Sequence, residues 1–359
     1  MINRYKETYL FPFNSSIPNY LDRYKRSINS KKRILKFFKR YLYLFIKRQI
    51  SLECLFINKS VNKILWINLS APSLGDSIMD LSSRTMIDFA EIDLFTDKKN
   101  EELYKKDPVF RRVFSSISSM PSDKYDLVIL DSYSTRTVKI KSLISPKTRF
   151  VSMFAFYNGP EVNRVLFSFH RMNHLLGNLF SVSKLNQIAK PTLGIQGVTL
   201  SRDLPIDYIA IVIGGEWGYR TYDKWKEVVE FILNTYQSKN IVLVGSLNGE
   251  DEARKISCSI NSNRIFNFVN QFTFIETVKI LEGSNFVLCC DGGLMHASNC
   301  LQKPIIPLFA KLTPKMQLTE SIPAFPCYDA ESVVNIKVSC IKKNIKKIMN
   351  VGHIYHLDE

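Results

Sequence analysis

Short apolar runs alternate with amphipathic stretches along most of the chain, from about residue 63 onward. In the first half, continuous apolar runs predict buried strands, while apolar residues three or four positions apart predict helices after Asp76 and over 100–110. The predicted strands lie at 63–69, 91–97, 125–134 and 149–154. Strands that alternate with helices in this way indicate a parallel sheet covered by helices.

A second alternating set follows a linker at 191–205. Its strands are predicted at 208–215, 240–246, 285–290 and 303–310, and its helices at 223–236, 249–260, 273–284 and 291–301. The chain is therefore expected to contain two similar α/β units. We place them at 63–195 and 196–340, preceded by an extension at 1–62 and followed by a tail at 341–359.

Positive charge is concentrated in the N-terminal extension. The chain of 359 residues has a formal net charge of +16, and residues 1–63 carry 15 Lys and Arg against 3 Asp and Glu. Residues 1–30 are expected to run over a surface. The segment 31–50, KKRILKFFKRYLYLFIKRQI, is aromatic, basic and free of acids, as helices at membrane surfaces tend to be. It predicts either a helix that binds an anionic membrane surface or a helix packed on its own domain with a solvated basic rim.

The composition excludes several classes of protein. With 45 % hydrophobic and 23 % charged residues, the chain is typical of a globular protein. No run approaches the roughly 18 apolar residues of a membrane span, and the N-terminus lacks the apolar core of a secretion signal, so we expect a cytoplasmic protein. Seven cysteines with no CxxC pair argue against a zinc site. No nucleic-acid-binding motif accompanies the basic extension, so we expect no nucleic-acid partner.

The most informative loop follows the third predicted strand of the second half. Ligands of parallel α/β sheets bind beyond the carboxyl ends of the strands, and here Asp291, Gly292 and Gly293 lead into a helix expected to begin near Leu294. Glycines let a ligand approach the backbone, and the free N–H groups of a helix start favour an anion. His296 falls in the first helical turn. In the structural alternative, Asp291 caps the helix and His296 is a core residue.

Two further loops at the same sheet edge carry candidate ligands for a phosphorylated substrate. In IGGEWGYRTYDKW, Arg220 presents a planar fork suited to phosphate oxygens, and Lys224 is the alternative. In VGSLNGEDEA, Glu250 or Glu252 is placed to accept hydrogen bonds from ribose hydroxyls. The structural alternatives are a solvated charge for either cation and, for either glutamate, an acid favoured by the helix dipole.

A lone carboxylate stands where the first predicted strand turns into a helix. In LSAPSLGDSIMDLSSR, Gly75 permits a tight turn and Asp76 follows it. A carboxylate at a helix start is often a cap or a dipole partner. If it faced the phosphate loops of the other half, Asp76 would instead serve as a general base toward an acceptor hydroxyl.

These segments together resemble glycosyltransferase family 9, whose best-known members are the lipopolysaccharide heptosyltransferases. The most specific match is a strand, Asp-x-Gly-x-x-His, a helix and a Lys-Pro strand, in FVLCCDGGLMHASNCLQKPIIPLFA. The second is the Ser-x-Gly-Asp turn in ILWINLSAPSLGDSIMDLS. Their order and separation make the pair specific, and the resemblance covers about residues 63–310.

The resemblance implies a GT-B-like fold, in which two Rossmann-like domains, the first for the acceptor and the second for the nucleotide sugar, face a cleft. It implies inverting, metal-independent transfer of a heptose-like sugar from ADP-heptose or a similar donor, without a further cofactor, to a lipopolysaccharide core or related lipid-linked glycan. Together with the basic segment 31–50, it suggests a site of action at the inner face of the cytoplasmic membrane.

The family's functional positions map onto named residues. Asp76 corresponds to the base that activates the acceptor. The backbone of Gly292, Gly293 and Leu294 corresponds to the diphosphate cradle, while Asp291 and His296 fill the other motif positions, and Arg220 or Lys224 corresponds to a phosphate-binding lysine. Glu250 completes the expected donor-binding set, and no metal ligand is expected.

The sequence also departs from the family pattern. Gly292 stands where the family usually has Ser or Thr, so a hydroxyl contact to phosphate is missing, and Ala310-Lys311-Leu312-Thr313 replaces the usual Gly-Pro-Thr. The loss at Gly292 favours an alternative function, a non-catalytic relative that binds a nucleotide sugar or a glycan. An enzyme of epimerase type would need GxGxxG after the first strand, and the sequence has none there.

Overall fold

The computed structural model describes residues 2–8, 10–14, 17, 30–122, 124–157 and 162–355. The chain divides into two compact units, Met1–Gly194 and Ile195–Glu359. Each contains a parallel sheet with helices between its strands, which confirms the predicted fold class of two parallel-sheet α/β domains with a helical N-terminal region. Within the described ranges, no helix has both the length and the apolar character needed to cross a membrane.

The first unit is built on a sheet in the order β3-β2-β1-β4-β5. The strands are β1 (Lys63–Asn68), β2 (Glu91–Thr96), β3 (Phe110–Phe114), β4 (Leu127–Leu130) and β5 (Phe150–Ser152). The helices are α1 (Ile2–Lys6), α2 (Ser30–Ile46), α3 (Leu74–Asp80), α4 (Lys98–Tyr104), α5 (Thr135–Ile144), α6 (Arg164–Leu175) and α7 (Val182–Ile188). The apolar run KILWIN occupies the centre because a strand covered on both faces needs apolar residues at every position.

The second unit is built on a sheet in the order β11-β10-β9-β6-β7-β8. The strands are β6 (Tyr208–Val212), β7 (Asn240–Val244), β8 (Ile265–Asn267), β9 (Val287–Cys290), β10 (Ile305–Ala310) and β11 (Cys327–Asp329). The helices are α8 (Trp225–Thr235), α9 (Glu250–Ser259), α10 (Phe274–Gly283), α11 (Gly293–Cys300) and α12 (Val338–Tyr355). All its strand pairs are parallel, so the carboxyl ends lie along one edge.

Short 3-10 helices join these elements in both units. They span Ile50–Leu52, Ser82–Met86, Ile117–Ser119, Gly218–Arg220, Leu247–Gly249, Pro314–Met316 and Val333–Asn335. Two of them, after β6 and β7, lie in the loops where the sequence predicts ligands for a phosphorylated substrate.

Strand β3 corrects the helical prediction over 100–110. Helix α4 ends at Tyr104, and the chain enters β3 at Phe110. The strand reads FRRVF, and its two central arginines interrupt the apolar pattern that would have marked it as a strand. Both place a guanidinium nitrogen 2.7 Å from the buried carboxylate of Asp93 in the neighbouring strand. A tertiary ion-pair network therefore stabilises a strand that local periodicity does not indicate.

The N-terminal helices are part of the first unit. Phe37 and Leu44 of α2 are buried in the apolar cluster that covers β1 and β4. Arg4 of α1 forms an ion pair with Glu53, at 2.9 Å. One face of α2 therefore packs on its own domain. The segment 1–30, which was expected to run over a surface, contains the short helix α1. Much of that segment, including 18–29, lies outside the described residues.

The segment expected to form a C-terminal tail is helical as far as residue 355. Helix α12 begins at Val338, and its Ile341 and Ile345 are buried in the main apolar cluster of the second unit. The end of the chain, as far as it is described, therefore contributes to the core of this unit.

Candidate active site

Each sheet has one point where the order of its strands reverses. In the second unit the chain proceeds from β6 to β7 and β8 on one side and from β9 to β10 and β11 on the other. In open α/β sheets, ligands bind at such a point, in the crevice between the loops that follow the two central strands, which here are the loops after β6 and β9. Strands β1 and β4 form the corresponding point of the first unit.

In the second unit, the loop after β6 places Arg220 against the loop after β9. Arg220 ends the short helix Gly218–Arg220, and its Nη2 lies 3.4 Å from Oδ2 of Asp291. About one fifth of the Arg220 side chain is exposed, whereas that of Asp291 is 2 % exposed. The Arg220 guanidinium also lies 5.4 Å from the ring centroid of Tyr219. The ion pair fixes the guanidinium at the crevice while leaving part of it open to solvent.

Asp291 joins this cation to the start of helix α11. Its Oδ1 lies 3.8 Å from Nε2 of His296, and both side chains are buried. Its backbone N–H donates to the carbonyl of Leu308 in β10 at 3.0 Å, which ties the loop to the sheet. Asp291 is not the N-cap of the helix, because Gly292 occupies that position. The capping role suggested as the structural alternative for Asp291 does not apply.

The start of α11 is open at Gly292. The helix begins at Gly293, one residue before the expected position, and Gly292 contributes no side-chain cap. Its φ of 170° is ordinary extended backbone, and a Cβ added there would meet nothing within 4 Å. The N–H groups in the first turn of a helix have no partners within that helix. This turn, with Gly293 and Leu294, therefore provides donors beside an unfilled space.

Glycines bring the loops after β6 and β7 into contact. Gly214 has a φ of +97°, and a Cβ there would lie 2.8 Å from Oδ1 of Asn248. A Cβ on Gly215 would lie 2.6 Å from the carbonyl oxygen of Arg220. Asn248 then donates from Nδ2 to the carbonyl of Gly215 at 2.8 Å. A side chain at Gly214 would force these loops apart, and one at Gly215 would displace the backbone of Arg220.

Two other candidates of the second unit have different surroundings. Lys224 donates from Nζ to the carbonyl of Val334 at 2.6 Å, a structural contact that favours Arg220 as the phosphate ligand. Glu250 is the first residue of α9 and is exposed, and its Oε2 accepts from Nδ2 of Asn270 at 3.3 Å. Its neighbour Glu252 lies within the first turn of the same helix.

In the first unit, Asp76 is held in the first turn of α3. Ser73 is the N-cap, its hydroxyl accepts from the backbone N–H of Asp76 at 3.2 Å, and it donates to Oδ2 of Asp76 at 2.7 Å. Oδ1 of Asp76 lies 3.3 Å from Nε of Arg164, the first residue of α6. With 22 % of its side chain exposed, Asp76 is oriented by two partners and still reachable. The geometry is compatible with a base and with a dipole partner.

A second carboxylate lies one helical turn beyond Asp76. Asp80 is buried and accepts from Nη1 of Arg164 at 2.8 Å on both oxygens. Burial raises the pKa of Asp80 to about 7 although Arg164 opposes the shift, and the nearby charges of Asp76 and Asp131 add to the increase. Arg164 therefore links one partly exposed and one buried carboxylate.

The loop after β1 is shaped by Asp131, at the end of β4. Its Oδ2 accepts from the backbone N–H groups of Leu69 and Ser70 at 2.6 Å each, and burial raises its pKa. This buried carboxylate is a structural support for the segment that leads to Asp76. The sequence alone does not mark Asp131 or Arg164 as site residues, because neither lies near Asp76 along the chain.

The described residues contain no group of three or more His, Cys, Asp or Glu side chains arranged to hold a metal ion. The site candidates of the second unit that the structure brings together are Arg220, Asp291, His296 and the start of α11.

Comparison with known proteins finds a family whose model is similar to the region that contains this site. Residues 184–344 match the model of glycosyltransferase family 9 (heptosyltransferase), a region that includes the whole Arg220–Asp291 cluster. The predicted resemblance to family 9 is confirmed. Residues 184–344 are therefore similar to family 9 glycosyltransferases, and the cluster lies within this region.

Solved structures with the same fold include heptosyltransferases and a family 9 glycosyltransferase. Escherichia coli ADP-heptose lipopolysaccharide heptosyltransferase II is 16 % identical, with a TM-score of 0.62, and the match covers 81 % of this chain and 99 % of that one. A family 9 glycosyltransferase of Veillonella parvula is 13 % identical, with a TM-score of 0.63 and coverages of 82 % and 99 %. E. coli heptosyltransferase WaaC with ADP is 15 % identical, with a TM-score of 0.59 and coverages of 80 % and 99 %. No curated protein sequence matches the chain.

Proposed function

We propose that the protein transfers a heptose-like sugar from a nucleotide diphosphate, ADP-heptose or a similar donor, to a hydroxyl of a lipopolysaccharide core or related glycan. The observation that carries this proposal is the Arg220–Asp291 cluster, at a strand-order reversal and inside the family 9 region. Two structures with the same fold support the donor class, since they are E. coli WaaC with ADP and with ADP-2-deoxy-2-fluoro heptose.

Asp76 is the proposed general base. Its carboxylate takes the proton of the acceptor hydroxyl while the acceptor oxygen bonds to the anomeric carbon of the donor. The bond from that carbon to the diphosphate oxygen breaks in the same displacement, so the configuration at the anomeric carbon inverts. Ser73 and Arg164 support this role because they orient the carboxylate at a partly exposed position.

The second unit is proposed to bind the donor and stabilise its leaving group. Arg220 donates to the diphosphate, and the backbone N–H groups of Gly293 and Leu294 complete the cradle. Asp291 and His296 position these groups, since both are buried and in contact with each other. Cationic and N–H donors of this kind stabilise a leaving diphosphate without a metal ion, so we propose a metal-independent reaction. Glu250 is retained as a candidate for the ribose.

The test is a transfer assay with the full chain. ADP-heptose and a panel of other nucleotide sugars are incubated with core oligosaccharide, and product mass and released nucleotide are measured with and without EDTA. We expect transfer from one donor class, unchanged by EDTA and lost in Asp76→Asn. Binding of a nucleotide sugar with no transfer or hydrolysis would favour the non-catalytic alternative, and an absence of binding to all donors would overturn the proposal.

We also propose that the protein acts at an anionic membrane surface through α2. Five large apolar side chains of this helix are each between 48 and 69 % exposed: Leu35, Phe38, Leu42, Phe45 and Ile46. Their spacing places them on one face of the helix, opposite the buried Phe37 and Leu44. Exposed basic residues border one side of this outer face at Lys32, Lys39 and Lys47. An apolar face with a basic border matches an anionic bilayer better than a neutral one.

The membrane proposal is tested by sedimentation with vesicles. Deletion of residues 1–50 is unsuitable, because Phe37 and Leu44 belong to the core of the first unit. We use Leu42→Glu/Phe45→Glu, which alters exposed positions only, with Leu179→Glu as a control at another exposed apolar residue of this unit. We expect binding to phosphatidylglycerol vesicles to fall about 10-fold in the double variant and to persist in the control. Equal binding of all three proteins would overturn the proposal.

A further inference from the structure

Lys311 directly follows strand β10, next to the strand that leads to Asp291. Its backbone has a φ of +64°, and the N–H of Leu312 donates to the carbonyl of Ala310 at 2.7 Å, which closes a tight turn around it. A residue with a Cβ is strained in this left-handed region, where glycine is favoured. Strain of this kind persists where the surrounding structure imposes it, and it concentrates at functional sites.

The Lys311 side chain reaches the Arg220 loop. Its Nζ lies 3.8 Å from the ring centroid of Tyr219, and the Arg220 guanidinium lies 5.4 Å from the same centroid. Both cationic groups therefore lie near the same aromatic ring, and they are at most about 9 Å apart. Lys311 is exposed and forms no ion pair with any residue that the structure describes. Lys224, by contrast, is bound to a backbone carbonyl.

The charges around the crevice do not suffice without Lys311. Arg220 is paired with Asp291, so together these two residues contribute no net charge. The start of α11 contributes roughly half a positive charge. A diphosphate carries about one negative charge or more on each phosphate. The site needs a further cation, and Lys311 is an exposed one beside the Arg220 loop that forms no ion pair with a described carboxylate.

We propose that Lys311 is a further donor-binding residue, which places its ammonium group on the diphosphate beside Arg220. This inference rests on the proposed function, because it requires a nucleoside diphosphate at the crevice. The ring of Tyr219 holds the ammonium near the site by a cation–π contact until the donor arrives. The strained turn after β10 points the side chain toward this ring rather than along the strand.

The test measures nucleotide affinity by calorimetry with the full chain. ADP, UDP, GDP and CDP are titrated first, and the tightest diphosphate is then compared with its monophosphate. Lys311→Met removes the charge and keeps the chain length, and Lys311→Arg restores the charge. Lys303→Met is the matched control, because Lys303 lies just before β10, at the opposite end of the strand. We expect Lys311→Met to weaken diphosphate binding about 10-fold, Lys311→Arg to recover most of it, and the control to change nothing.

Comparison with the monophosphate separates ligand binding from packing against Tyr219. A residue that only supports the loop would weaken both nucleotides equally, whereas a diphosphate ligand weakens the diphosphate by a larger factor. Lys311→Gly adds a second check, since relief of the strained turn raises the melting temperature while diphosphate affinity still falls.

The outcomes distinguish this inference from the proposed function. Wild-type affinity for a diphosphate with no change in Lys311→Met would overturn the role of Lys311 alone. Equal losses for diphosphate and monophosphate would also overturn it. If the wild-type chain bound none of the four diphosphates, the proposed function would fall, and the role of Lys311 with it.

Discussion

The two units use the same topology to present opposite charges. In each, the sheet order reverses at one pair of strands, and a short loop leads from a strand into a helix there. The first unit offers a partly exposed carboxylate, Asp76, with Asp80 and Asp131 buried behind it. The second offers Arg220, Lys311 and a helix start. Topology thus supplies the place for a ligand, and the few side chains at that place decide its chemistry.

Replacing the carboxylate of Asp76 is the sharpest test of this difference. Asp76→Asn keeps the shape of the side chain and its contact with Ser73 but removes the proposed base. We expect the transfer rate to fall about 1000-fold, as general base catalysis is typically worth 100- to 10,000-fold. Nucleoside diphosphate affinity should stay within a factor of two, because the proposed donor site lies in the second unit.

A loss of nucleotide affinity in Asp76→Asn equal to the loss of rate would contradict the division of roles between the units. Ser51→Ala, a change in the exposed 3-10 helix after α2, provides a control for general effects of substitution in this unit.

The stability of the first unit should depend on pH through the titration of Asp80. Its pKa is raised from 3.8 to about 7 in the folded chain, mainly by burial. Between these values the folded state binds more protons than the unfolded state, so stability falls as the pH rises. Relative to Asp80→Asn, we expect the wild type to lose up to about 4 kcal/mol between pH 4 and pH 7.

This comparison is made by urea unfolding of both proteins at several pH values. A stability difference that is constant from pH 4 to pH 7 would show that Arg164 keeps Asp80 ionised throughout.

In the second unit, Arg220→Ala should weaken nucleoside diphosphate binding about 30-fold, since a charge-assisted hydrogen bond contributes about 2 kcal/mol. It should also destabilise the fold by about 2 kcal/mol, because it leaves the buried Asp291 without its cation. The double variant Arg220→Ala/Asp291→Asn removes the unpaired charge. Calorimetry and urea unfolding should show that stability recovers while affinity does not; recovery of both would mean that Arg220 only neutralises Asp291.

The smallest expected effect concerns Gly292. Gly292→Ser adds a hydroxyl at the N-cap of α11, where a Cβ meets nothing within 4 Å and φ is extended. A serine cap is worth a few tenths of a kcal/mol more than glycine, so the melting temperature should rise slightly. Diphosphate affinity should improve by about threefold through one added hydrogen bond. A large gain in transfer rate would instead show that the missing hydroxyl limits the natural protein.

Strands with a continuous apolar pattern were predictable from the sequence, whereas a strand with an interrupted pattern was not. The long apolar runs at β1, β6 and β9 correctly indicated parallel strands. Strand β3 was not predicted, and its first residue, Phe110, fell within the predicted helix over 100–110, because Arg111 and Arg112 break the apolar pattern and pair with Asp93 of the next strand. For α2, the sequence left two alternatives open. One face packs and the other remains exposed, so the structure supports the packing alternative for one face and leaves the membrane proposal to the other.

The sequence by itself determined the alternation of strands and helices, the glycine and acid turns at Asp76 and Asp291, and the family resemblance, because these depend on residues close together in the chain. Only the tertiary structure decided which cation meets Asp291, that Arg164 joins Asp76 to Asp80, and that Lys311 reaches Tyr219. These contacts join segments that are far apart in sequence. Periodicity and motif spacing describe each segment alone, whereas the parallel sheet brings the carboxyl ends of different strands to one edge.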